Sequence, residues 1–172
     1  MAGSSSTAAH SSNNQWYDVF LNHRGPDAKE TLARSLYLRL LEKGIRAFLD
    51  KDEMKQGYNI SSQIEHAIKT ASVHVAIFSP RYAESNWCLD ELVMMLDSKA
   101  PIIPVFYGVT PAEVRWTRGG NRKYAQDLQK LAEKKTHEGK LRHGFNTIES
   151  WRNALSHVAN ISGFELQASD IG

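Results

Sequence analysis

The stretch Val73-His-Val-Ala-Ile-Phe-Ser-Pro-Arg-Tyr-Ala-Glu-Ser-Asn-Trp-Cys-Leu-Asp-Glu-Leu92 decides how the chain is read. Val73 to Phe78 is almost wholly apolar, as a central strand covered on both faces must be. A polar turn follows, and a helix opens near Ser85 or Asn86 and continues through Leu89, Leu92, Val93 and Leu96. With that start, Trp87 and Glu91 stand one helical turn apart on one face. An aromatic plate beside a carboxylate at the mouth of a parallel sheet suits binding a base and acting on a sugar.

The same grammar extends both ways. Upstream, Tyr17 to Asn22 reads as a first strand and Asp27 to Lys43 as a helix, with Ala28, Leu32, Leu36 and Leu40 on one stripe and Gly44 as its C-terminal cap. Ile45 to Asp50 is the second strand. A polar loop, Lys51 to Asn59, leads to a helix bearing Ile60, Ile64, Ala67 and Ile68. Downstream, Ile102 to Phe106 is the fourth strand, where Pro101 and Pro104 limit ladder donation. Beyond Tyr107 the pattern loosens into a loop containing Pro111 and Gly119-Gly120. Helices are expected at Lys123 to Lys135 and Thr147 to Asn160, the second with Asn146 and Glu149 spaced like a capping box. Gly163 to Gln167 is a short fifth strand.

Strand and helix alternate at a spacing that predicts a parallel α/β sheet with helices on both faces. Ligands of such sheets bind beyond the carboxyl ends of the strands, where strand order reverses. Three segments qualify: Asn22 to Asp27, Lys51 to Asn59 and Ser79 to Asn86.

The 172 residues suit one domain with a real core, and 41% hydrophobic with 23% charged residues is ordinary for a soluble globular chain. A net charge of +2, from 21 basic and 19 acidic residues, gives no reason to expect nucleic acid as the main partner. A local basic face could still form from Lys123, Lys130, Lys134 and Lys135. The single cysteine, Cys88, cannot form an internal disulfide, which favours a reducing compartment such as the cytosol. No apolar run approaches the roughly 20 residues that cross a bilayer, so no membrane partner is expected. Residues 1–14, rich in Ser, Ala and Asn, read as a flexible leader and not as a signal peptide.

In Asn22-His-Arg-Gly-Pro-Asp27, Arg24 supplies a fork suited to phosphate and Gly25 lets the backbone approach a ligand. The helix N-terminus that follows would add amide donors and a positive dipole end. The plainer reading, a tight turn with a surface arginine, is favoured from these residues alone. Dinucleotide and P-loop glycine signatures are absent. Asp50, Asp52 and Glu53 read as solvated loop charge, and a phosphotransfer reading is disfavoured because Ser79, not an aspartate, ends the third strand. Asp90 or Glu91 could equally serve the helix dipole, Trp87 could cap the core rim, and Cys88 reads as a small buried hydrophobe. The histidines lack ligand spacing, so no metal site is expected.

The ordered set Tyr17-Asp-Val-Phe-Leu-Asn-His-Arg-Gly25, Phe48-Leu-Asp50, Ala76-Ile-Phe-Ser-Pro-Arg-Tyr-Ala83, Ser85-Asn-Trp-Cys-Leu-Asp-Glu-Leu92 and Ile103-Pro-Val-Phe-Tyr107 resembles a plant Toll/interleukin-1 receptor (TIR) domain. Trp151-Arg-Asn-Ala-Leu155 and Gly163-Phe164 extend the resemblance. It implies a flavodoxin-like five-stranded fold over residues 15–168, with a short tail at 169–172, in a TIR-only protein or the TIR part of an immune receptor. It also implies an enzyme of plant innate immunity and cell death that cleaves the nicotinamide-ribose bond of NAD+ and NADP+. ADP-ribose, cyclic ADP-ribose and related nucleotide signals would be the products. The family's glutamate falls on Glu91 and its adenine-stacking aromatic on Trp87. Its loop after strand one falls on Arg24, Gly25, Pro26, Asp27, Lys29 and Glu30, its mobile loop carries Gly57, and Ser79 joins the substrate-binding set. On this resemblance Asp90 becomes the helix-dipole residue. No metal or resident cofactor is required, NAD+ being the substrate.

The expected partners are further copies of the chain and other TIR proteins, in the cytoplasm and secondarily the nucleus. A non-enzymatic adaptor working by homotypic contacts is the competing class, which the presence of Glu91, Trp87 and Arg24 disfavours. Two departures stand out. The common Ser-Phe-Arg-Gly-Glu-Asp reads Asn22-His-Arg-Gly-Pro-Asp27 here, and the final helix of many relatives does not follow the fifth strand.

Overall fold

The apolar run Val73–Phe78 forms β3, buried from His74 onward, and every other strand is placed relative to it. A computed structural model of the chain describes residues 16–28, 32–50, 61–120 and 122–170. β1 is Val19–His23, β2 Ala47–Leu49, β4 Ile102–Tyr107 and β5 Phe164–Leu166. All neighbours are parallel, in the order β2-β1-β3-β4-β5. The chain leaves β1 toward β2 and then crosses to the opposite side for β3. Strand order therefore reverses between β1 and β3, and the carboxyl ends of these two strands frame the crevice where such sheets take ligands.

Alternation along the strands divides the interior. Phe20, Ala76, Phe78 and Phe106 face α3 (Ser62–Thr70), α4 (Asn86–Ser98), α6 (Lys123–Glu133) and α7 (Phe145–Ala159), the larger core. Leu21, Val75, Ile77 and Val105 face the opposite way, toward α2 (Arg34–Glu42). Since Phe20 points into the larger core, Asn22 on the same strand projects to the α4 side, and it is fully buried there.

Within the span read as a helix from Asp27 to Lys43, the described residues are helical at Gly25–Ala28, α1, and at Arg34–Glu42, α2. α2 ends as its sequence implies, with Gly44 at φ +74° and Ile45 N donating to Leu40 O at 2.9 Å, a Schellman closure. Ser85 caps α4 by accepting from Cys88 N, so Asn86 is its first residue. The stretch read as loose loop after β4 holds a short helix, α5 (Pro111–Val114), closed by a Thr110/Glu113 capping box with Pro at its start. The capping box expected at Asn146 and Glu149 does not form. α7 starts earlier, after Gly144, which puts Asn146 inside the first turn, and Glu149 pairs with Arg152 at 2.6 Å.

Pro104 lies inside β4, and Gly163 explains how β5 approaches it. A Cβ at Gly163 would sit 2.2 Å from the Pro104 carbonyl oxygen and 2.6 Å from the ring Cγ. Only glycine permits that contact, and pairing begins one residue later with Val105 opposite Phe164.

Candidate active site

Three segments converge at the switch point: the end of β1 with α1, the end of β3 with the turn after it, and the first turns of α4. Asn22 closes β1's buried face as a polar residue, and it is there because Glu91 is. Its Nδ2 donates to Glu91 Oε2 at 3.0 Å and lies 3.4 Å from Cys88 O. Its Oδ1 accepts from the Tyr82 hydroxyl, which also lies 3.1 Å from Cys88 O. Glu91 itself is 4% exposed, the most deeply placed carboxylate on α4. Burial, then the neighbouring Cys88 and Glu91, hold the Tyr82 phenol well above its ordinary range, so it stays protonated and donates.

A second, polar cluster borders the first. Arg24 Nη1 pairs with Asp27 Oδ1 at 2.8 Å, and its Nη2 lies 3.7 Å from Glu84 Oε2. Ser79 Oγ donates to Asp27 Oδ2 at 2.8 Å, and the Tyr124 hydroxyl donates to Ser79 O at 2.6 Å. Glu84 also meets Arg81 and Lys123, at 3.0 and 3.1 Å. Burial pushes against ionisation of Glu84, yet the hydrogen bonds from Arg81 and Lys123 hold its carboxyl below the ordinary value. Lys123 and Lys130 both face the buried Asp127, so two of the four lysines expected to form a basic face are engaged by a carboxylate.

Of the expected site residues, Glu91 and Trp87 lie on α4, Trp87 half-buried. Arg24, Gly25, Pro26 and Asp27 run into and through α1, and Ser79 sits at the end of β3. Lys29, Glu30 and Gly57 lie outside the described residues, as do Asp52 and Glu53. The dipole role expected of Asp90 is corrected. The first turn of α4 holds no acid, and Asp90 lies beyond it, where its carboxylate accepts from Trp151 Nε1 at 2.8 Å. Burial raises its pKa, against the Trp151 bond.

Sequence reasoning missed Asn22 and Tyr82 as part of the carboxylate's surroundings. One signal was available: a polar residue closing an otherwise apolar strand at a switch point needs a buried partner. Among the described residues no group of His, Cys, Asp and Glu converges in a way that could hold a metal, and no helix is long and apolar enough to cross a membrane.

The TIR domain family model matches residues 16–170, and the chain belongs to that family. Among solved structures, the TIR domains of the activated Roq1 resistosome directly recognising the pathogen effector XopQ match with a TM-score of 0.73 at 40% identity, covering 87% of each chain. The chain is 48% identical over 98 residues to a probable 2' cyclic ADP-D-ribose synthase, BdTIR, of Brachypodium distachyon, covering 57% of this chain and 44% of that protein. It is 37% identical over 161 residues to TMV resistance protein N of Nicotiana glutinosa, covering 91% of this chain and 13% of that protein. The chain thus spans less than half the length of either relative.

Proposed function

We propose that this TIR chain is an NAD+ nucleosidase, cleaving the nicotinamide-ribose bond, with Glu91 as its catalytic carboxylate. The observation that carries the reading is a glutamate 4% exposed at the switch-point crevice, with one carboxylate oxygen held by the Asn22 amide. An amide hydrogen bond to a buried carboxylate favours its charged form.

The chemistry follows from that charge. Nicotinamide bound to ribose is cationic, and it departs with the electron pair of the glycosidic C–N bond. The sugar left behind carries oxocarbenium character. A fixed carboxylate beside it stabilises the developing positive charge and orients the ribose hydroxyls. Attack by water gives ADP-ribose; attack by a hydroxyl of the same nucleotide gives a cyclic product. Neither path needs a redox partner.

Trp87, half-buried one turn before Glu91, offers a stacking face for the base. Arg24 would hold the pyrophosphate by exchanging its 3.7 Å contact with Glu84 for a phosphate oxygen while Asp27 keeps the guanidinium oriented. NADP+ is a second substrate on this reading. Self-association through TIR contacts, contacts with other TIR proteins and action in the cytoplasm in plant innate immunity and cell death complete it. The similarity to BdTIR supports the cleavage chemistry, and that to the Roq1 resistosome TIR domains supports self-association.

Incubating concentrated protein with NAD+ and with NADP+, and resolving products by mass, tests the proposal. Release of nicotinamide with ADP-ribose or a cyclised isomer is expected. Intact dinucleotide at protein concentrations where the chain self-associates would favour a non-enzymatic adaptor instead.

A further inference from the structure

We infer that Asn22 is a positioning residue for Glu91, held in register by Tyr82: a buried phenol-amide-carboxylate chain runs from the turn before α4, across the end of β1, to the carboxylate. The inference rests on the proposed role of Glu91 and adds what holds that group in place.

Orientation of the amide is fixed by its neighbours. Nδ2 faces two acceptors, Glu91 Oε2 at 3.0 Å and Cys88 O at 3.4 Å, while Oδ1 faces the Tyr82 hydroxyl. The flipped amide would set its own oxygen against a carboxylate and a carbonyl and turn its NH2 away from both acceptors. Glu91 and Cys88 O thus select the orientation, and the Tyr82 hydroxyl holds it by donating to the oxygen it presents. Asn22, Tyr82 and Glu91 are 0%, 0% and 4% exposed, so water cannot substitute for a lost member.

The consequence for Glu91 is twofold. One carboxylate oxygen is pinned, which fixes where the charge of the group lies for a ligand. The donated hydrogen bond also favours the ionised form, the form that stabilises a ribosyl cation. Titratable groups facing this cluster include Tyr82, from the turn, Cys88, one turn earlier on α4, and Tyr124.

The nearly isosteric variant Asn22→Asp separates positioning from packing. It keeps an acceptor for Tyr82 but puts a second carboxyl against Glu91, and like charges at that distance raise the proton affinity of the pair. In protein carrying 13C-labelled glutamate carboxyls, with the Glu91 signal assigned by its loss in Glu91→Gln, the Glu91 titration midpoint is expected to rise by about one to two pH units. A midpoint unchanged from wild type would overturn the inference. Tyr82→Phe is the second variant, read in the same titration, because it removes one hydroxyl and keeps the ring. Its expected results are an upward shift in the Glu91 midpoint and a kcat for NAD+ about three- to tenfold lower, with KM within twofold of wild type. An unchanged midpoint there would also overturn it. Wild-type protein that cleaves no NAD+ would instead count against the proposed function, and the carboxyl titration would still decide the contact.

Discussion

Ser79 Oγ donates a 2.8 Å hydrogen bond to Asp27 Oδ2, tying the end of β3 to the helical residues after β1. Asp27 uses its other oxygen to hold Arg24. The two loops that frame the crevice are thereby joined through one carboxylate, and the loop carrying Arg24 takes its position from the central strand.

Ser79→Ala tests that tie. Losing one buried hydrogen bond should reduce stability by about 1 kcal/mol in urea unfolding. Because the tie places the Arg24 loop and not Glu91, KM for NAD+ should rise severalfold while kcat stays within twofold. A fall in kcat at constant KM would mean that Ser79 acts on the carboxylate instead.

His74 makes the second prediction. It is fully buried in β3 with its ring edge-on to Phe20. Ser98 Oγ donates to Met95 O at 2.7 Å, so at 2.9 Å His74 Nε2 donates to Ser98, and Nδ1 is a buried acceptor with no hydrogen-bond partner among the described residues. Burial lowers the folded-state pKa from 6.5 to about 4. The unfolded chain therefore takes up this proton first on acidification, so His74's contribution to stability is complete above pH 6.5 and is lost as pH falls toward 4. Unfolding free energies measured across that window should show His74→Gln flattening the wild-type slope by up to about one proton. Parallel slopes for the two proteins would exclude the assignment.

Gly163→Ala is predicted to destabilise by about 1–3 kcal/mol, since the new methyl meets the backbone oxygen of Pro104, which cannot step aside as a flexible side chain would. Thermal unfolding reads the loss directly. At temperatures where the variant is folded, NAD+ turnover should match wild type, because β5 stands two strands away from the crevice.

Much of the fold was legible because its signals are local. The apolar run Val73–Phe78 reads as a central strand without reference to anything else, and Ser85 announces the start of α4 by capping it. Thr110 and Glu113 were equally local, a capping box around a proline, and went unread beside a stretch that otherwise resembles loop. Asn146 and Glu149 had the same spacing without the cap, because Gly144 starts that helix earlier. Pattern spacing fixes which residues can cap, not which turn the helix enters first.

The site divides along the same line. Trp87 and Glu91 share a helix, so their proximity follows from periodicity. The partners of Glu91 do not: Asn22 is 69 residues distant in sequence from Glu91, and Tyr82 is 60 from Asn22. Asp90 was misread for this reason, its true partner Trp151 lying 61 residues downstream. Contacts of that range are set by strand order, which residue spacing alone does not specify.

The central claim is that the Glu91 carboxylate performs the cleavage. Wild-type protein and Glu91→Gln, matched for circular dichroism, unfolding midpoint and self-association, should be incubated with NAD+ and nicotinamide release followed by mass. The glutamine keeps the shape and the acceptor for Asn22 but removes the charge. The predicted result is a loss of about a hundredfold to a thousandfold in turnover. A folded, assembled Glu91→Gln protein releasing nicotinamide at the wild-type rate would contradict the account.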